Sequence, residues 1–139
     1  MRVGVLTGGG DCPGLNAVIR AIVRKAERHY GDEVVGFLDA WDGVMERRTM
    51  PLTVETMRGT LPRGGTVLGT RRGSPFDHAD GVERVQATMA DMGLDGLIVI
   101  GGNGSLTVSS MLHEQAGLNV VGVPKTIDND IEGTDITFG

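Results

Sequence analysis

The sequence predicts an α/β fold: an open, mostly parallel sheet with helices on both faces. Three observations carry this. Short apolar, β-rich runs at residues 3–7, 34–38, 97–100 and 120–123 alternate with helix-length segments, which is the pattern of a parallel sheet covered on both sides. Two of these runs, Val99-Ile100 and Gly122-Val123, break abruptly into small and polar residues about twenty positions apart, with one helix between them. That is a βαβ unit, and the carboxyl ends of its strands lie on the side of the sheet where ligands bind. Finally, 23 of the 139 residues are glycine, far above the usual ~7%, and they cluster after the apolar runs, as expected where backbone must approach a ligand.

The first run, Val3-Gly4-Val5-Leu6-Thr7, leads through Gly8-Gly9-Gly10-Asp11-Cys12-Pro13-Gly14 into residues 15–26. There the apolar positions Leu15, Val18, Ile19, Ile22, Val23 and Ala26 repeat at i, i+3, i+4 and i+7, the helix period. Asp11 and Pro13 are start signals, and Arg20, Arg24, Lys25 and Arg28 fall toward the negative end of the helix dipole. A glycine loop entering a helix N-terminus is a ready anion site. The second strand follows within residues 33–40, and Trp41-Asp42-Gly43 reads as a turn away from it. Residues 54–58 read as a short helix, and residues 62–73 as a Gly-rich loop around a brief apolar piece, ending in Arg71 and Arg72. Val82, Val85, Met89 and Met92 stripe a helix over residues 81–92, with both methionines in the core. The third strand, a helix over residues 106–115 ended by Gly117, and the fourth strand complete the alternation.

Apolar residues make up 40% of the chain and aromatics 4%, so the core rests on Val, Ile, Leu and Met. The net charge of −5, without a basic tract, argues against nucleic acid. No apolar run approaches the ~18 residues of a membrane helix. One cysteine excludes an internal disulfide framework, and no secretory leader is evident. The expectation is a cytoplasmic domain spanning residues 1–139. His29, His78 and His113 have no metal-ligand spacing. The chain stops at Phe138-Gly139 without a capped helix, as if cut in mid-domain.

The loop after the third strand, Gly101-Gly102-Asn103-Gly104-Ser105, offers bare amides suited to phosphate. The loop after the fourth, Pro124-Lys125-Thr126-Ile127-Asp128-Asn129-Asp130, offers one cation and two carboxylates suited to moving a proton beside phosphate. Alone, Asp128 and Asp130 also fit turn residues bonded to their own backbone. Arg72 also fits a solvated surface charge. Together the two loops point to phosphoryl transfer.

Four stretches in order then give the chain its family likeness: residues 6–16, Gly64-Gly65-Thr66-Val67-Leu68-Gly69-Thr70-Arg71-Arg72, residues 101–105, and residues 124–130. With these it resembles the phosphofructokinases, and specifically their nucleotide-side N-terminal portion, since family members are more than twice as long. The resemblance implies ATP as donor, Mg2+ as cofactor, fructose 6-phosphate as acceptor and a homo-oligomeric full-length protein. It places Gly10 against the nucleotide phosphates and Arg72 on the donor phosphates. Gly102, Gly104 and Ser105 line the nucleotide site, and position 103 faces magnesium. Thr126, Ile127, Asp128 and Asp130 meet the sugar, and Asp128 takes the proton from the attacking hydroxyl. Trp41 falls where the family often has an aromatic near adenine, although packing explains it equally well. Gly104 resembles the ATP users, whereas Lys125 resembles the diphosphate users; the pair resembles a mixed actinobacterial group. Asn103 replaces the usual acid and removes a charge from the metal site. A diphosphate-dependent enzyme and a non-catalytic nucleotide-binding module remain as rivals. A dinucleotide-binding dehydrogenase half is disfavoured because the first loop lacks G-x-G-x-x-G spacing.

Overall fold

The computed structural model describes residues 1–9, 14–58 and 66–124. In chain order these form β1 (Arg2–Thr7), α1 (Leu15–Lys25, continued by a π turn, Ala26–Tyr30), β2 (Glu33–Phe37), α2 (Trp41–Glu46) and β3 (Thr49–Leu52). A 3₁₀ turn (Pro75–Asp77), α3 (Gly81–Asp91), β4 (Gly96–Gly101), α4 (Asn103–Ala116) and β5 (Val120–Pro124) follow. One five-stranded sheet has the order β3-β2-β1-β4-β5. The neighbours β2-β1, β1-β4 and β4-β5 are parallel, and β3 runs antiparallel to β2. The chain winds from β1 toward β2, then restarts on the other side at β4. The crevice of such a sheet opens at this reversal, outside the carboxyl ends of β1 and β4.

Strand alternation sorts the core into two layers. Val5, Val34 and Ile100 pack with Leu15, Ile19 and Val23 of α1 on one face. Leu6, Phe37, Leu97 and Val99 pack with Val85 and Met89 of α3 and Leu112 of α4 on the other. The predicted helices on both faces are therefore present. Leu15, Ile19 and Val23 are fully buried, each worth about 1.5–3 kcal/mol of transfer free energy. Gly31 at φ 65 closes the π turn and Gly117 at φ 67 closes α4, as left-handed residues commonly end helices.

Three local expectations are corrected. Residues 54–58 are turns rather than a helix. Thr53 and Thr56 exchange bonds between hydroxyl and backbone at 2.8 and 3.1 Å, which offers this backbone an alternative to the helix ladder. Trp41-Asp42-Gly43 opens α2 rather than turning away. Any Cβ on Gly43 would fall 1.9 Å from the Leu38 carbonyl oxygen, so the glycine lets the helix close on the end of β2. The antiparallel β3 carries Pro51, which an edge strand tolerates and which hid it from a periodicity search.

Candidate functional site

At the reversal point, the loop after β1 is tied to β4 by the Gly8 N–H donating to the Ile100 carbonyl at 2.8 Å. α4 then begins at once: Gly102 is its N-cap and Asn103 its first residue, three positions before the expected start at 106. Asn103, Gly104 and Ser105 are thus the first turn of a helix, whose N–H groups have no intrahelical acceptor. Neither α4 nor α1, with N-cap Gly14, has a side-chain cap or an acid in its first turn. Among the described residues, both therefore present positive helix ends at the same sheet edge without a capping acid.

The glycines here differ in what they are for. A Cβ on Gly8 would sit 2.4 Å from the Ser105 hydroxyl, and one on Gly101 would sit 2.5 Å from Ser105 Cβ. Ser105 therefore occupies a socket between the two strand ends and draws the first turn of α4 onto the sheet. A Cβ on Gly104 meets none of the described residues within 4 Å. Packing does not demand glycine at 104, and its bare backbone stands open to solvent.

The segment from Thr66 lies over the ends of β1 and β2. Thr7 Oγ1 donates to the Gly69 carbonyl at 2.8 Å, and the Val67 N–H donates to Asn16 Oδ1 at 2.6 Å. Leu68 is buried against Gly36, where a Cβ would fall 2.4 Å from it. Asp39, just past β2, takes a hydrogen bond from Arg48 Nη1 at 2.7 Å and faces Arg71 at 3.6 Å, while Arg71 also donates to Asp42 at 2.9 Å. The Arg48 hydrogen bond, helped by the charges of Arg71 and Arg48 and opposed by burial, holds the Asp39 carboxyl below the usual carboxylate range. Arg72 is exposed.

Among the predicted site residues, the structure brings Gly102, the N-cap of α4, together with Asn103, Gly104 and Ser105 of its first turn and puts Arg72 three residues beyond the pinned Gly69. Gly10, Lys125, Thr126, Ile127, Asp128 and Asp130 lie outside the described residues, as do Asp11, Cys12 and Pro13. No group of three metal-binding side chains occurs among the described residues. The exposed Asn103 amide fits a cation carried in by phosphates, not one caged by the protein.

A family model for phosphofructokinase matches residues 2–139. The chain belongs to the phosphofructokinase family. It is 55% identical over 139 residues to a pyrophosphate–fructose 6-phosphate 1-phosphotransferase of Streptomyces coelicolor, covering 100% of this chain and 41% of that protein. It is 54% identical to an ATP-dependent 6-phosphofructokinase of Mycobacterium leprae, covering 100% of this chain and 40% of that protein. It therefore spans about two fifths of the length of these relatives. Among solved structures, the T-state phosphofructokinase of Pichia pastoris superposes with a TM-score of 0.90 at 32% identity, over 99% of this chain and 16% of that one.

Of the two readings open for Trp41, the structure supports packing: the residue is 2% exposed and packs in the α3–α4 layer with Leu6, Val44 and Met89. It is a core residue. Sequence reasoning missed Thr7, Asn16 and Asp39, which hold the arginine-bearing segment. Thr7 ends β1, Asn16 lies in the first turn of α1 and Asp39 follows β2; polar residues at strand ends and helix starts are too common to single out. The expectation against a membrane span agrees with the described residues, none of whose helices is long and apolar enough to cross one.

Proposed function

We propose that the full-length protein carrying this segment transfers the γ-phosphoryl group of MgATP to the C1 hydroxyl of fructose 6-phosphate, giving fructose 1,6-bisphosphate and ADP. The observation that supports ATP most directly is the open space, among the described residues, at Gly104. A donor larger than diphosphate needs room for its α-phosphate and nucleoside, and no side chain at 104 takes it.

Phosphoryl transfer needs charge stabilisation and positioning more than covalent help. The amides of Gly102, Asn103 and Gly104, together with Gly10, cradle the donor phosphates at two helix N-termini. Arg72 and Lys125 balance charge on the moving phosphoryl group. Thr126, Ile127 and Asp130 orient the sugar, and Asp128 accepts the proton from its C1 hydroxyl. When bound, magnesium supplies further neutralisation of the phosphate charge, with the Asn103 amide as its neutral protein oxygen. The setting is a cytoplasmic homo-oligomer.

Lys125 and the relative named for diphosphate favour a second reading, with diphosphate as donor. Rates measured with each donor at saturating fructose 6-phosphate decide between them: faster turnover with ATP supports the proposal, and faster turnover with diphosphate replaces it. ATP binding without fructose 1,6-bisphosphate from either donor would instead establish a non-catalytic module.

A further inference from the structure

The turn that leaves β2, Leu38-Asp39-Ala40-Trp41, is unusual for one with no glycine. Asp39 and Ala40 both adopt positive φ, 60° and 61°, and Ala40 has ψ −136°. Asp tolerates the left-handed region, but Ala has no side chain to reward it. Such strain persists only where surrounding contacts enforce it, and it concentrates at functional sites. Here the enforcing contacts are on both sides. The Leu38 N–H donates to the Arg48 carbonyl at 2.9 Å, and the Asp39 N–H to the Leu68 carbonyl at 3.0 Å. Gly43 allows α2 to press against the Leu38 carbonyl.

The strained turn aims the Asp39 carboxylate at the pinned segment. Gly69, itself at φ +76, passes so close that a Cβ there would lie 2.9 Å from Asp39 Oδ1. The same carboxylate holds Arg48 at 2.7 Å and faces Arg71 at 3.6 Å, and Asp42 takes the other side of Arg71 at 2.9 Å. Arg71 is therefore folded back against α2, while no ion pair or hydrogen bond with another described residue engages Arg72. Arg72 is within about 10 Å of chain from Gly69, so the clamp on Gly69 and Arg71 limits where its guanidinium can reach.

We propose that Asp39 is a positioning residue for phosphoryl-donor binding. By fixing Gly69 and Arg71 it sets the direction of Arg72, whose charge meets the donor phosphates. The inference rests on the phosphoryl-transfer reading above but not on which donor is used.

The test uses the full-length protein and a double-mutant cycle. Asp39→Asn keeps size and removes charge. It is expected to raise the KM for the better donor roughly tenfold, with the KM for fructose 6-phosphate within about twofold of the parent. In an Arg72→Met background the same change should add less than about twofold, because an effect routed through Arg72 cannot be lost again. An equal fold-change in both backgrounds overturns the proposal. So does an unchanged donor KM accompanied by a lowered unfolding midpoint, which would make Asp39 a purely structural residue. If Asp39→Asn does not fold, Arg71→Gln at an exposed side chain gives the reading. A donor KM raised about threefold supports the clamp, and an unchanged one overturns it. A parent protein transferring phosphoryl from neither ATP nor diphosphate would instead remove the functional reading itself.

Discussion

The same substitution made at two glycines three residues apart should have opposite consequences. In Gly101→Ala the new methyl would lie 2.5 Å from Ser105 Cβ, 2.7 Å from its hydroxyl and 3.4 Å from the Gly8 carbonyl. Comfortable carbon contacts are about 3.5–4.0 Å, so the first turn of α4 must retreat by about 1 Å. Overpacking of this kind costs roughly 1–3 kcal/mol. With a urea slope of about 2 kcal/mol per molar, the unfolding midpoint should fall by roughly 0.5–1.5 M. In Gly104→Ala the methyl meets no described residue within 4 Å, and replacing a helical glycine gains up to about 1 kcal/mol, so the midpoint should stay or rise. Its cost should fall on the ligand instead, as a raised KM for ATP. Urea unfolding of the full-length variants, compared at constant slope, measures the first effect, and donor titration measures the second. Adding Ser105→Gly to Gly101→Ala empties the socket and should restore most of the lost midpoint. The reasoning is refuted if Gly104→Ala destabilises as much as Gly101→Ala, or if Ser105→Gly restores nothing.

Other outcomes follow from the same site. Asp128→Ala should cut turnover at least ~100-fold while leaving ATP affinity near its parent value; preserved turnover with lost ATP affinity would remove its role as proton acceptor. Asn103→Asp should lower the magnesium concentration giving half-maximal rate, because it restores an anionic oxygen to the first turn of α4, and superimposable titration curves would exclude position 103 as a metal contact. The lowered Asp39 carboxyl pKa means that its contribution to stability is complete above about pH 4, the unfolded value. That contribution is lost as pH falls through the lower folded value. A urea midpoint followed from pH 6 to pH 2 should show this acid-side loss in the parent and a smaller one in Asp39→Asn.

The strands were legible because Val3 to Leu6, Leu97 to Ile100 and Val120 to Val123 are β-branched or aliphatic runs bounded by small residues, and α1 because its stripe keeps the helix period. α2 was hidden by Gly43, which ordinarily breaks a helix but here permits one against a strand end. α4 was trimmed because Gly102 and Gly104 read as loop, whereas both sit at an uncapped helix start. The glycine-lined half of the site could be read since its residues are contiguous. The clamp could not: Thr7 meets Gly69 across 62 positions and Asn16 meets Val67 across 51. Nothing local in either partner announces such a pairing.

The burial of Trp41 has a practical consequence. It is the single tryptophan of the segment, seated in the layer between the sheet and α3, away from bulk water. Its indole emission should be short-wavelength in the native protein and shift to the red when that layer opens. Arrival of a phosphorylated ligand at the glycine loops should leave the spectrum nearly still. The chain thus carries an intrinsic optical gauge of its interior that does not double as a gauge of occupancy.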